Sequence, residues 1–397
     1  MNSSEALTTW INRIQRRALL VGGVGGVLCV VGALLNCPQF FQSYLLAWLY
    51  WLGMSLGGLA WIMVHHLSGG RWGFITRRIH EVSALVTGLM ALLFVPLALG
   101  LASLYPWARP AEVAADPLLL HKQPYLNGPF FLIRVLLYFI LWIGIAFFLN
   151  NWSRSWDRTG SPIFGRRLRV FSGPALALYA FTMSFAAIDW VMSLEPHWFS
   201  TVFGILIVTE QALLAWCFVI IVLTQLSKWE PLTNVLIGRD FNDLGNFLLA
   251  AVLLWAYLAF VQFLIMWAGN LPEEVTWYIH RLRGGWQWVA ILIVLFHFAV
   301  PFAALLSGRL KRNRERLALV ALLVMVIDLV YLHWLIMPAF YPGHFHLHWL
   351  DIVAPITIGG LWLTVFLWWL KRNALLPVHD VAVDEPVAAL QGAPGHG

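Results

Sequence analysis

Apolar residues run along this chain in long stretches, without the period-two alternation of half-buried strands and with too few polar positions to give most helices a wet face. A helix rises about 1.5 Å per residue, so roughly 20 apolar residues cross a hydrocarbon core of about 30 Å. On that scale the runs predict helices over 18–36, 40–64, 81–105, 129–150, 170–191, 199–226, 244–269, 285–307, 316–337 and 351–370. The expected fold class is therefore all-α, a polytopic integral membrane protein of about ten transmembrane helices, with residues 1–372 as one transmembrane domain. Short connections imply up–down packing of successive helices. The longest of them, 106–128, reads as a cap, and no water-soluble domain is long enough to fold alone. Membrane barrels are excluded, because their strands alternate lipid-facing and lumen-facing positions.

Charge tests the helix count independently. With the N-terminus inside, the inner connections collect all but five of the 25 Lys and Arg; Arg109, Lys122, Arg281 and Arg283 fall outside, and Arg134 lies within a helix. A missed or extra helix would break that alternation. The expected location is an inner membrane with both termini cytoplasmic, and the net charge of +6 reads as a topology signal rather than a nucleic-acid footprint. Arg13, Arg16 and Arg17 before the first run resemble the start of a signal peptide, but the run is too long and no small-residue cleavage site follows, so it reads as an uncleaved anchor. Several tryptophans, among them Trp48, Trp190, Trp267, Trp286 and Trp368, fall near predicted helix ends, where the headgroup level favours their amphipathic rings. Residues 373–397 are rich in Ala, Pro, Gly and Val and read as a flexible cytoplasmic tail.

Ionisable groups inside lipid are costly, so their depth is the sharpest clue to function. Glu210 and His297 count to roughly 16–18 Å from the outer edge, and Asp328 reaches about the same level from the inner edge. Tyr257 and Gln262 lie at or just outside this layer. Such a layer serves as a proton relay, or as a hydrogen-bond network that fixes helix packing. Arg134 and Asp189 sit at similar depth near the outer ends of adjacent helices, and are expected to hold a quinone head, organise a proton exit, or form a structural ion pair. Glu195 and His197 follow in the next outer turn. The histidines of YPGHFHLHWLD (341–351) favour contact with a partner over metal ligation, because no further ligands accompany them. His65, His66, His80 and Glu81 flank the inner connection between helices 2 and 3, as a proton inlet or a solvated rim.

Cys29, Cys37 and Cys217 are scattered without CxxC or CxxCH spacing, so no c-type haem or iron–sulfur cluster is expected on this chain. No helix carries two histidines about 13 residues apart, which argues against haem b.

FSGPALALYAFTMSFAAIDWVMSLEPHWFSTVFG (171–204) resembles the second quinone-type membrane subunit of bacterial alternative complex III, within the polysulfide-reductase membrane-subunit superfamily. YLNGPFFLIRVLLYFILWIGIAFFLNNWSRSWD (125–157) and WAYLAFVQFLIMWAGNLPEEVTWYIHRLRGGW (255–286) are similar to the same family. The resemblance implies two four-helix bundles, helices 2–5 (about 40–191) and 6–9 (about 199–337), flanked by helices 1 and 10. It further implies a subunit of a quinol:cytochrome c or quinol:terminal oxidase complex. Iron–sulfur subunits, c-type haem subunits and a homologous quinone-type membrane subunit would be its partners. Arg134 and Asp189 would match a polar site at the outer end of the first bundle, and Glu210, His297 and Asp328 a polar file in the second. The alternatives are a secondary transporter with a midplane polar site, and a purely structural subunit.

Overall fold

A computed structural model describes residues 3–376. Among them, ten helices are long and apolar enough to cross a membrane: α1 (Glu5–Leu35), α2 (Cys37–Ser68), α3 (Arg71–Leu99), α4 (Gly128–Thr159), α5 (Pro162–Leu194), α6 (Phe203–Leu226), α7 (Gly238–Gly269), α8 (Trp286–Leu305), α9 (Arg314–Ala339) and α10 (Leu350–Leu370). The chain is an all-α polytopic membrane protein. Helix starts follow ordinary capping chemistry, which meets donors that a helix end leaves unpaired. The Asn36 carboxamide accepts from the Gln39 amide at 3.2 Å, Asn127 from Phe130 at 2.9 Å, and Asn313 from Glu315 and Arg316 at 3.1 Å each.

Helices α2 to α5 close into one bundle and α6 to α9 into a second; α2 and α6 form the seam between them. α1 lies along α10, which packs on α2 and α3. Close approach at the seam needs a glycine: a Cβ at Gly57 would stand 1.9 Å from the Gln211 carbonyl oxygen. Lys371 Nζ donates to Asn12 at 2.7 Å and Gln15 at 2.6 Å, so α1 begins and α10 ends on one face, here the terminal face, opposite a distal face.

Two sequence expectations change. The third helix begins at Arg71 rather than 81, and only Gly69 (φ 67°) and Gly70 (φ 98°) connect it to α2. Both backbones occupy the left-handed region that glycine adopts without penalty. His65, His66, His80 and Glu81, assigned to an inlet or rim, are instead buried, the first two at the end of α2 and the others inside α3, where Arg77 and Arg78, expected in the inner connection, are buried with them. The interfacial reading of the tryptophans also divides: Trp267 is exposed, whereas Trp48, Trp190 and Trp286 are fully buried. Trp48 and Trp190 pack edge to face at 4.8 Å and form the aromatic centre of the first bundle with Trp142 and Phe94.

Both bundles contain a broken helix. Beyond Leu85 α3 continues as the short segments Thr87–Leu92 and Val95–Leu99, with Pro96 at the second break. Trp48 Nε1 donates to the Met90 carbonyl and the Tyr44 hydroxyl to that of Leu93, each at 2.9 Å, so side chains of α2 satisfy freed backbone oxygens. α8 widens into a π-helical stretch, Val294–Ala299, just before Pro301. Proline has no N–H to return to the carbonyl four residues earlier, which here belongs to His297, and the altered register accommodates that loss.

The 106–128 segment forms short turns and helices, Pro110–Ala115 and Pro117–Lys122, over the first bundle. Trp107 Nε1 donates to Ser193 Oγ at 3.0 Å and Lys122 Nζ to the Pro196 carbonyl at 2.6 Å, which pin this cap to the end of α5. The tail expected over 373–397 lies, beyond Leu376, outside the described residues.

Candidate functional site

Three of the four sequence-predicted residues of the second bundle converge. His297 on α8 and Asp328 on α9 are fully buried, with Nε2 3.3 Å from Oδ1. Glu210 on α6 is 5% exposed and within electrostatic reach of Asp328. Counted from Trp286, His297 lies about 16 Å along α8, near the middle of the bilayer. Glu210 is shallower than expected, about 10 Å from the distal start of α6, because residues 195–202 form a turn and the helix begins at Phe203.

The rings around this centre hold it away from lipid. Trp255 stands edge-on to His297 at 4.2 Å, and Tyr331 stacks on it at 6.0 Å. Tyr50, reaching across the seam from α2, donates to the Met325 carbonyl at 2.8 Å. Yet the polar atoms at the centre are poorly matched. Apart from the 3.3 Å approach of His297 Nε2 to Asp328 Oδ1, Glu210 Oε2, the other ring nitrogen of His297 and the other oxygen of Asp328 are buried without a hydrogen-bond partner among the described protein groups. Each such atom costs about 1–3 kcal/mol, and more when charged. Side chains whose only task was to lock helices together would form the bonds that repay this cost.

Tyr257, expected in the same layer, is 62% exposed and leaves it. Two residues on a helix are separated by about 200°, so the inward Trp255 turns Tyr257 toward lipid. Gln262 is buried farther toward the distal face, where it accepts from Ser200 at 3.3 Å and donates to Tyr278 at 3.5 Å. A lateral cleft of about 660 Å³ opens between α7 and α8, with Trp255, Tyr257, Phe260, Gln262, Tyr278 and Tyr331 in its walls. It reaches the outer sides of the two rings that cover His297.

Arg134 and Asp189 also meet, with a contrasting chemistry. Nε and Nη2 of Arg134 donate to the two oxygens of Asp189 at 2.8 Å each, and the Tyr138 hydroxyl adds a bond at 2.9 Å. A third guanidinium nitrogen donates to the Tyr125 carbonyl at 2.9 Å, while the Tyr125 and Phe130 rings flank the cation at 3.9 and 4.5 Å. Three of roughly four acceptor positions of this carboxylate are filled. The pair is self-sufficient, and its geometry is that of a structural clamp between α4 and α5.

Sequence reasoning missed three further networks. Near the terminal face, Arg77 Nε and Arg78 Nη1 donate to the two oxygens of Glu81 at 2.8 and 2.7 Å, and Arg78 also pairs with Asp157. The Ser153 hydroxyl donates to Glu81 at 2.6 Å. Spacings of three and four residues from Glu81 were the available signal. At the distal face Arg281 Nη2 donates to Glu195 at 2.6 Å and His280 lies at 3.3 Å. Burial pushes the Glu195 carboxyl up, but the Arg281 guanidinium and the hydrogen bonds from Arg281 and His280 outweigh it and hold the group below the ordinary value. The third network absorbs the histidine-rich segment. Asp351 accepts from Ser43 at 2.6 Å and Gln39 at 3.2 Å, and Gln39 Oε1 in turn bonds Tyr341 and His346 at 2.9 Å each. His333 stands 3.5 Å from Asp351.

No family model matches the chain, and no curated protein matches it.

Proposed function

We propose that this chain is the membrane subunit of a bacterial quinol-oxidising respiratory assembly, and that its second bundle carries protons through Glu210, His297 and Asp328. The observation that carries the reading is the buried, under-bonded centre formed by these three side chains on three helices. Carboxyl and imidazole groups at this separation exchange a proton with little movement of heavy atoms, and a buried acid, unlike a saturated one, has lone pairs free to receive it. Trp255 and Tyr331 exclude lipid from the centre, and Tyr50 ties it to the first bundle. The π-helical turn at His297 fits the same assignment, since such turns recur at functional positions.

Electron transfer falls to partner subunits bearing iron–sulfur clusters and c-type haem, beside a homologous membrane subunit, as the resemblance of residues 171–204 implies. The assembly would sit in the inner membrane with the terminal face cytoplasmic, where most basic residues gather. A quinone would find little to bind at the saturated Arg134–Asp189 clamp. The cleft between α7 and α8 suits it better: apolar walls for a long tail, with Gln262 and Tyr278 to hydrogen-bond a carbonyl head.

The transporter alternative is less well supported. Transporter sites pair interruptions at corresponding positions of two repeats. Here the broken helices are second in the first bundle and third in the second.

Purification in mild detergent tests the proposal: co-elution with haem- and iron–sulfur-containing chains is expected, and a stable solitary chain that takes up solute would refute it. Within the intact assembly, Glu210→Gln is expected to slow proton-coupled quinol turnover. Unchanged turnover with assembly intact would remove Glu210 from the route.

A further inference from the structure

A second site lies on the terminal face of the first bundle, remote in sequence from the proton centre. A cavity of about 550 Å³ opens between the end of α2 and the start of α5, with His65, His66, Arg77, Trp156, Arg166 and Arg169 in its wall and no carboxylate among the lining residues. We propose that this cavity binds a phosphate-bearing anion.

The charge balance comes first. Arg77 is buried and its charge is matched by Glu81 behind the wall, so it supplies positive potential without a net surplus. Arg166 and Arg169 are the surplus. Both are exposed, lie three residues apart on one face of α5, and make no ion pair with a described residue. The first turn of α5 lines the cavity beside them and contributes its positive end. Trp156 walls the cavity beneath the Arg77 guanidinium, which lies 5.4 Å from its ring.

Depth specifies the anion further. The continuous helix of α5, Pro162–Trp190, has 29 residues and spans about 43 Å, against a hydrocarbon core of about 30 Å. Its excess length carries Arg166 and Arg169, about 6 and 10 Å from Pro162, to headgroup level. A lipid phosphate occupies that level, and basic pockets between membrane helices recognise such groups. Free phosphate presents the same oxygens and could enter from the aqueous side.

Binding should be measured on the full-length chain, in its assembly, in two ways. In nanodiscs of equal phosphatidylglycerol and phosphatidylcholine, retained anionic lipid is quantified by mass spectrometry for wild type, R166Q/R169Q and the control R16Q/R17Q, whose arginines are exposed on α1. In phosphatidylcholine discs alone, inorganic phosphate is titrated while thermal stability is followed. A lipid site predicts an affinity loss of about thirtyfold in R166Q/R169Q, from two headgroup-level arginines, and little loss in the control. A free-phosphate site predicts stabilisation of wild type by phosphate that R166Q/R169Q abolishes, without lipid selectivity. Equal lipid loss in both double variants, or no dependence on Arg166 and Arg169 in either arm, would overturn the proposal. Both substitutions are at exposed positions, so the fold survives them.

Discussion

Asp189→Asn should destabilise the first bundle far more than an ordinary interhelical hydrogen bond would. Asp189 is fully buried and the Arg134 side chain is 8% exposed, so water cannot replace the lost carboxylate. An asparagine accepts through one oxygen only, and one arm of the guanidinium fork, or the Tyr138 hydroxyl, loses its acceptor. Breaking a buried ion pair by removing one partner costs about 3–5 kcal/mol, whereas interhelical polar contacts in membranes average about 0.6 kcal/mol. The double variant R134M/D189L removes both charges at similar volume. It leaves the buried Tyr138 hydroxyl without its acceptor, for about 1–3 kcal/mol, and the half-buried Tyr125 carbonyl without its donor, a smaller loss because Tyr125 is partly exposed. Denaturant unfolding of the purified chain, followed by tryptophan fluorescence, separates these cases, since Trp190 and Trp142 lie 6.1 and 5.7 Å from the Tyr138 ring. The clamp predicts that D189N is the less stable variant by about 2 kcal/mol. A D189N loss below about 1 kcal/mol, or a double variant worse than the single, would refute the reasoning.

Three other outcomes are expected. Tyr257→Phe should leave proton-coupled turnover at the wild-type rate because Tyr257 faces lipid, while Trp255→Ala, which opens the wall over His297, should reduce it; equal effects would contradict the assigned azimuth of α7. Glu195 is held below its ordinary value when folded, so its contribution to stability is complete above about pH 4.3 and disappears as pH falls through the folded value. E195Q should therefore flatten the acid limb of the stability profile, and an unchanged limb would assign acid unfolding to other carboxylates. Gly57→Ala should cost stability at or beyond the upper end of about 1–3 kcal/mol, because its methyl meets a backbone oxygen, while Gly88→Ala, with open space beside it, should not; thermal unfolding of the pair checks this.

The ten helices were legible because nothing but lipid accommodates such runs, and depth counting found Glu210, His297 and Asp328 because charge inside them is rare. What hydropathy could not supply was azimuth. On α7 the residues at 253–260 are apolar or aromatic nearly all round, so nothing in the sequence chose Trp255 over Tyr257 as the inward ring. Charges that cancel within the bilayer were equally hard to place. Arg77, Arg78 and Asp157 fall between the predicted helices and Glu81 at the edge of one, and they settle inside α3 and α4 only as a paired set, because each desolvation cost is met by another member. The register change at His297 follows from Pro301, visible in sequence, but whether a helix answers proline with a kink or a π-turn depends on what packs against it.

Proton transfer by the second bundle is tested most directly in the intact assembly, reconstituted into vesicles with a trapped pH indicator and started by a pulse of quinol. With Asp328 replaced by asparagine, proton movement is predicted to slow by about a hundredfold, as expected when a positioned acid–base group is removed. The partner chains should still co-purify. Wild-type proton movement in that variant would leave the buried centre as architecture alone.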